Sequence, residues 1–473
     1  MMGLYGTLNL GTRALQTQSQ GLAVAGQNLA NVNNPAYTRQ RLLVQTTGAL
    51  PSALGSQGTG VSAVAIQRIH DSLLERQIQG EASVSGFWTA NQNALQAAQT
   101  NLGEALDGTT RNANGTTSAV GAQSTLATDL DGLFNEFQNL ASAPASLAQR
   151  GVLLSKAQNL AAQFNQTDGR LASLNGTLND SVTADVGQAT ELLQSVARLN
   201  EQIRRAESGA SGSANDLRDL RQQKIETLAG LTNVETAEDP DGQVNVSVGG
   251  NLLVSGQQVL ATLETYAAGG GQRLVRTSTG TALTLTGGSV QGTIDARDGA
   301  LATLRGNLDT LAKTLATEVN TVHAAGFNLS GGTGADFFTG TSAGTLKVNA
   351  ALVGNPALLQ ASGNPAAAGD NRTAQALASL AYQPLAALGG QTFAASYART
   401  VIGVGEALAT ANGQVSDQQL VAGMLQTQRS AVSGVSIDEE MTDLVRYQKA
   451  FQASARIIST VDELLNEVIN MKR

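Results

Sequence analysis

Residues 4–35 read LYGTLNLGTRALQTQSQGLAVAGQNLANVNNP. Leu8, Leu15, Leu22 and Leu29 recur at a period of seven, and Leu4, Gly11 and Ala25 sit three or four residues from them. That is the spacing of a coiled-coil seam. The run Asn31-Val32-Asn33-Asn34-Pro35 then stops the helix, because proline and the residue before it leave helical backbone. An amphipathic helix packed inside its own domain has the same periodicity, so this stripe alone leaves both readings open.

The other end of the chain supplies a partner. From Ser436 onward, Ile437, Met441, Leu444, Phe451, Ala455, Ile458, Leu465 and Ile469 follow a four–three stripe, interrupted by Gln448 and Asp462 and widened by Val461, Leu464 and Val468. Ser436 with Glu439 three residues later has the form of a capping box. Asp438, Glu439 and Glu440 stand at the positive end of the helix dipole, and Lys472 and Arg473 at the negative end. At ~1.5 Å per residue the helix is roughly 50 Å long. Each stripe needs a cover, and the simplest cover is the other stripe. The chain then leaves and returns through one terminal coiled coil, with everything else nested between.

Between the ends the period changes twice. Arg39–Thr46 and Val61–Ile69 read as strands around a Gly- and Ser-rich stretch at Gly55, Gly58 and Gly60. Asp71 or Ser72 caps a helix running to about Leu106, with Trp88, Leu95 and Leu102 on its buried face. Residues 109–118 break the pattern. Helical periodicity returns over 126–231 through Leu153, Leu160, Phe164, Leu192, Val196, Leu199, Ile203, Leu217, Leu220, Ile225, Leu228 and Leu231, with a loop at Ser208–Ser213. Val244, Val246 and Val248 alternate with polar residues, and Leu252, Val254, Leu283 and Leu285 lie in similar runs, so 236–292 reads as a small β domain. Helix resumes at Ile294–His323, a loop-rich segment follows from Gly326 to Asp370, and helices return over Thr373–Val432. The expected fold is mainly α with an inserted β domain: a terminal coiled coil (1–35 and 436–473), a long-helix core beside it (36–235 and 293–435, with the loop-rich insert 326–370), and the β domain (236–292) outermost.

Composition narrows the function classes. The chain has 473 residues, net charge −8, only 3% aromatic residues and no cysteine. Its cores must therefore rely on Leu, Val and Ala. Acids and bases are interspersed, which argues against nucleic acid or an anionic membrane as partner, since both need a basic stripe. No apolar run approaches the roughly 18 residues of a membrane span, and Met1–Gln20 lacks the basic and apolar regions of a secretory signal. The two histidines, His70 and His323, stand alone, so no pair has metal-ligand spacing. Ala268-Gly269-Gly270-Gly271-Gln272 lacks the Lys-Ser/Thr of a phosphate loop and reads as a hairpin connection. Glu238-Asp239-Pro240-Asp241-Gly242 lacks the alternating ligands of a calcium loop and reads as a turn. No Ser-His-Asp or Cys-His set assembles. The expectation is a protein without catalytic residues, metal or cofactor.

The stretch Asn28-Leu29-Ala30-Asn31-Val32-Asn33-Asn34-Pro35-Ala36-Tyr37-Thr38-Arg39-Gln40 resembles the N-terminal signature of the flagellar axial proteins, which include rod, hook and junction subunits. It departs from that pattern at Gln27, Asn34 and Ala36; alanine in place of glycine at 36 puts a positive φ there in question. Tyr37-Thr38-Arg39-Gln40, Gly326-Phe327, Asp336-Phe337-Phe338, Val353-Gly354-Asn355-Pro356, Asp370-Asn371-Arg372 and Ser433-Gly434-Val435-Ser436-Ile437-Asp438-Glu439-Glu440 resemble the hook-associated branch, and the helical 126–231 region separates the chain from hook subunits, whose middle is mostly β. A hook or distal-rod subunit is the alternative. Longer members carry an outer domain after Asp-Phe-Phe; about 30 residues between Phe338 and Asp370 imply that it is absent or reduced. The resemblance implies a secreted structural subunit at the hook–filament junction, exported unfolded by the flagellar type III apparatus. It implies as partners hook protein, a second junction protein, copies of itself in a ring, and a cytosolic export chaperone. Under this reading Leu8, Leu15, Leu22, Leu29, Met441, Leu444, Phe451, Ile458 and Leu465 form the assembly seam. The family signature lies at Asn31, Val32, Asn33, Pro35, Tyr37, Arg39 and Gln40, and the chaperone meets Phe451, Ile458, Leu464 and Leu465.

Overall fold

The computed structural model describes residues 3–52, 55–103, 109–111, 117–119, 125–209 and 213–471. Lys472 and Arg473, Leu106, and parts of the 109–118 break and of the Ser208–Ser213 loop lie outside the described residues. The fold is mainly helical, as the periodicity predicts. Its helices are α1 (Leu4–Ala30), α2 (Ser72–Leu102), α3 (Leu126–Ser142), α4 (Leu147–Ala206), α5 (Asn215–Leu231), α6 (Gly288–Ala296), α7 (Ala302–Ala324), α8 (Ala350–Gly354), α9 (Arg372–Ser379), α10 (Phe393–Ser433) and α11 (Ile437–Asn470). Two compact units share them: Met1–Phe87, Ala184–Val290 and Ser416–Arg473 form one, and Trp88–Thr183 with Gln291–Val415 form the other.

In the first unit α1 and α11 pack along each other, and α1 also packs on a hairpin of Gln40–Thr46 with Val61–Arg68. The Gly-rich stretch between those strands is itself paired, Ala49–Ser52 with Gly55–Gly58. Asp71 caps α2, its Oδ1 accepting from the Leu73 and Leu74 amides at 2.8 and 3.3 Å. The β segment begins with a four-stranded antiparallel sheet: Val234–Glu238, Val244–Val248 and Asn251–Ser255 in sequence, then Gln258–Val259 on the far edge. Val244, Val246 and Val248 are buried on one face, as alternation requires. Asp239-Pro240-Asp241-Gly242 is the turn expected, closed by the Gly242 amide on the Asp239 carbonyl at 2.8 Å. The 268–272 glycines connect a second hairpin, Leu263–Gly269 with Gln272–Thr277, and Gly269, Gly270 and Gly271 all take positive φ. The strand pattern ends sooner than 292. Leu283 donates one bond to the Val275 carbonyl. The chain then closes against α2 and the end of α5: a Cβ at Gly287 would meet Ser83, and one at Gly288 the Leu231 backbone at 2.3 Å. α6 starts there.

The second unit holds a contiguous apolar core. α3 buries Leu126, Leu130, Leu133, Phe137 and Leu140; α4 buries Leu153, Leu160, Phe164 and Leu171; α7 buries Leu304, Leu308, Leu311, Leu315 and Val319. The scarce aromatics concentrate here. Phe134 stacks on Phe393 at 5.5 Å between centroids, Phe137 meets Phe337 at 5.5 Å, and Phe337 meets Phe338 edge-on at 4.8 Å. The Asp-Phe-Phe turn is held by Asn320, whose Oδ1 accepts from the Phe337 and Phe338 amides at 2.9 and 2.8 Å. The helix read as Ile294–His323 is α6 and α7 joined by a π-helical turn, Arg297–Leu301.

The 326–370 segment folds down on this core. Residues 339–370 hold one strand of a two-residue ladder (Phe338–Thr339 with Lys347–Val348), α8 and a single 3₁₀ turn, and no compact body of their own. Two lone basic residues tie the segment in place. Arg150 is fully buried; its Nε donates to the Pro144 carbonyl at 2.8 Å and its Nη1 to the carbonyls of Pro356 and Leu359. His323, also fully buried, accepts the Gln360 amide at Nε2 (3.0 Å), so Nδ1 carries the proton and donates to the Ala335 carbonyl at 2.7 Å. Burial holds its pKa down to about 4.

Candidate assembly site at the paired chain ends

The two end helices run antiparallel: Gly11 lies against Ile458, Gly21 against Tyr447, and Asn28 against Glu440. A Cβ at Gly11 would stand 2.9 Å from Ile458 Cγ1, and one at Gly21 2.5 Å from Tyr447 Cε1. The fully buried face of α1 is therefore Gly11, Thr17, Gly21, Val24, Ala25 and Asn28. The heptad leucines Leu8, Leu15, Leu22 and Leu29 flank that face and are half-buried. On α11, Glu440, Ser454 and Val461 are buried, and Leu444, Tyr447, Phe451, Ile458 and Leu465 are half-buried along the same stripe. Met441 and Leu464 fall outside it and are exposed, with Ile437, Val445, Ile457, Val468, Ile469 and Met471.

The signature loop closes one end of this pair. Asn28 uses every hydrogen-bonding position of its amide. Its Oδ1 accepts from Tyr37 Oη at 2.8 Å and from the Gln40 amide at 3.0 Å. Its Nδ2 donates to the Gln40 carbonyl at 2.8 Å and to Glu440 Oε2 at 3.0 Å. Arg39 reaches across with two charge-assisted bonds, Nε to Glu440 Oε1 at 2.7 Å and Nη1 to Glu439 Oε2 at 2.6 Å. The Arg39 amide donates to the Ser433 carbonyl at 2.9 Å. The capping box expected at Ser436 and Glu439 does not form: the Ser436 side chain makes no cap bond, and Glu439 is drawn to Arg39 instead. No non-glycine residue has positive φ among the described residues, so Ala36 sits without strain where the family pattern has glycine.

A second polar group anchors the strand after the signature. Asp219 on α5 accepts from the Thr38 amide at 2.9 Å and from Arg68 Nη1 at 3.2 Å, and Gln40 Nε2 donates to Asp216 at 3.0 Å. Burial raises the Asp219 pKa against the pull of those donors, and burial with the Asp216, Asp219 and Glu440 carboxylates raises that of Tyr37. Burial pulls the Arg39 pKa down, but its bonds and charge pairing with Glu439 and Glu440 outweigh this and raise it. Of the signature, Gln40 is buried, Asn31, Val32, Tyr37 and Arg39 are half-buried, and Asn33 and Pro35 are exposed. Asn31 to Pro35 and Tyr37 line a cleft of about 220 Å³ with Gln426, Arg429, Ser430 and Ser433 to Val435.

Periodicity alone overlooked Asn28, Glu440 and Gly21. Asn28 opens the signature stretch but stands one position off the leucine register, so the stripe gives no sign of it. His70 is exposed and distant in role from His323. Among the described residues no cluster of His, Cys, Asp or Glu could hold a metal ion, and no helix is long and apolar enough to cross a membrane. The site is an arrangement of packing surfaces and polar clamps.

Residues 118–338 match the family described as flagellar hook-associated protein FlgK helical domain. Residues 423–471 match flagellar basal body rod FlgEFG protein C-terminal. The chain is 26% identical to flagellar hook-associated protein 1 of Bacillus subtilis (strain 168), over 99% of each chain. It is 26% identical to the protein of that name from Escherichia coli (strain K12), over 98% of this chain and 99% of the other. Its fold is similar to the flagellar hook junction protein FlgK from Burkholderia pseudomallei, with a TM-score of 0.64 at 16% identity, covering 76% of this chain and 100% of that one. With the end-paired fold and the signature loop, these likenesses mark the chain as a structural component of the flagellum, similar over nearly its whole length to flagellar hook-associated protein 1.

Proposed function

We propose that this protein joins the hook to the filament and that copies of it assemble into a ring through α1 and α11. The observation that carries this reading is the unequal covering of α11. Its one broad neighbour is α1. Ile437, Met441, Val445, Ile457, Leu464, Val468 and Ile469 stay exposed, between 45% and 66%. Apolar side chains in that number on one helix mark a contact surface, and neighbouring subunits in a polymer supply the cover. The rod-type match at 423–471 fits a terminal pair shared by axial subunits, and the hook-associated helical match at 118–338 favours the junction over hook or rod.

Under this proposal the chain passes through the type III apparatus unfolded, and a cytosolic chaperone covers α11 at Phe451, Ile458, Leu464 and Leu465 beforehand. Hook protein and a second junction protein are its neighbours in the finished structure. Cryo-electron microscopy of the hook–filament boundary in the source cell tests the placement. A ring of this chain between hook and filament is expected; density along the rod or hook instead would overturn it.

A further inference from the structure

Two kinds of contact hold α11 on α1, and they differ in what they can specify. The apolar contacts repeat. Leu8, Leu15, Leu22 and Leu29 recur every seven residues, and so do Leu444, Phe451, Ile458 and Leu465. A displacement of α11 by one heptad therefore lays one seam residue on the place of the next. The glycine notches do not forbid it. In one direction the displaced register brings Leu465 to Gly11 and Ser454 to Gly21, both of which a notch accepts.

The polar contacts occur once. Moving α11 in that same direction replaces Glu440 by Tyr447 beside Asn28, and Glu439 by Arg446 beside Arg39. Asn28, 1% exposed, would lose its carboxylate acceptor, and Arg39 would face a like charge. Moving it the other way presses Glu440 into the Gly21 notch and puts Ser433 beside Asn28. We infer that the clamp of Asn28 and Arg39 on Glu439 and Glu440 is the register-determining element of the terminal pair. A single polar position fixing the alignment of an otherwise repetitive apolar seam is a known use of buried polarity. The competing determinant is the short linker Gly434-Val435-Ser436 between α10 and α11. The inference stands on the pair itself, so its failure leaves the proposed junction role standing, and the reverse holds too.

The absence of native cysteine makes disulfide trapping in the full-length chain clean. Residue 14 lies between the Gly11–Ile458 and Gly21–Tyr447 contacts, which puts Ser454 opposite it. The in-register pair is Ala14→Cys with Ser454→Cys; the pair one heptad away is Ala14→Cys with Val461→Cys. In the native background the first pair is expected to oxidise at least about tenfold more completely than the second. Glu440→Leu, which keeps side-chain bulk and removes the acceptor, is expected to raise the second pair to a yield comparable with the first. Glu440→Gln, which keeps an acceptor for Asn28, is expected to stay close to native. Three results would overturn the inference: an unchanged preference in Glu440→Leu, which would assign register to the linker; no preference in the native background; or loss of both crosslinks in Glu440→Leu, which would make the clamp a holder of α11 without control of its alignment.

Discussion

Gly21 lies flush against the ring of Tyr447, with room for a hydrogen and nothing larger: a Cβ at residue 21 would stand 2.5 to 2.8 Å from three ring carbons. Gly21→Ala must therefore push the ring aside, at an overpacking cost of roughly 1–3 kcal/mol. Tyr447→Ala alone leaves a gap over the glycine. The double variant Gly21→Ala with Tyr447→Ala is expected to recover part of the loss, giving a coupling that two unrelated sites would not show. Hydrogen exchange at the α1 amides in the two single variants and the double one measures it.

Asn28→Ala removes four hydrogen bonds at once and strands the Gln40 backbone groups they satisfied. The expected cost is roughly 2–3 kcal/mol, the scale of buried polar groups left without partners. Leu29→Ala, one residue on and half-buried, is expected to cost less. Amide exchange along Gln40–Thr46 is the readout, because Asn28 fixes the start of that strand.

Leu15 and Leu22 flank the packed face of α1 and are half-buried. Leu15→Gln with Leu22→Gln is expected to leave the unit containing Trp88 untouched, so the thermal transition followed by this only tryptophan stays in place. The same protein is expected to be exported yet fail to close the hook tip, so that filament subunits appear in the culture medium. Normal filaments, or a clear fall in the Trp88 transition, would contradict an assembly role for these leucines.

The proposed chaperone contact is checked by pull-down. Deleting residues 440–473 is expected to abolish capture of the chaperone, and Phe451→Ser with Leu464→Ser to weaken it strongly. Undiminished capture by the deletion would put the contact elsewhere.

His323 gives the second unit a pH dependence of definite sign. Its folded pKa, about 4, lies below the ordinary 6.5. Below pH 6.5 the unfolded chain takes up a proton that the folded chain refuses. Stability is therefore intact above that pH, declines as pH falls from 6.5 to about 4, and levels off beneath, a total of roughly 3 kcal/mol. Urea unfolding followed by Trp88 fluorescence is expected to show the decline, and His323→Gln to show a shallower one.

Much of this architecture is legible from residue spacing, because both the leucine stripes and the alternating valines at 244–248 record burial that recurs along an element. Turn chemistry is legible for a similar reason: Asp239 to Gly242 and the 269–271 glycines act on their own neighbours. What escapes is contact made by the absence of a side chain or with the backbone of a distant segment. Hydrophobic periodicity assigns no weight to Gly21, yet a Cβ there would stand 2.5 Å from the Tyr447 ring of the other helix. Arg150 and His323 look idle in the sequence because their partners are backbone groups, which leave no residue type to recognise. The Ser436–Glu439 capping pattern misleads because it is judged locally, while a guanidinium 400 residues away offers the carboxylate a charge-assisted bond.

Glu440 follows Asn28 by 412 positions. A polypeptide emerges from the ribosome, or from any narrow passage, one end first. The Asn28 amide therefore waits for its carboxylate until the 412 positions that separate them are out. During that wait α1 has no α11 to lie on, Arg39 has neither of its acids, and the hairpin beginning at Gln40 lacks part of its anchor. The clamp thus closes only after every residue between Asn28 and Glu440 has emerged, and a chain cut short before residue 440 leaves α1 without its α11 cover.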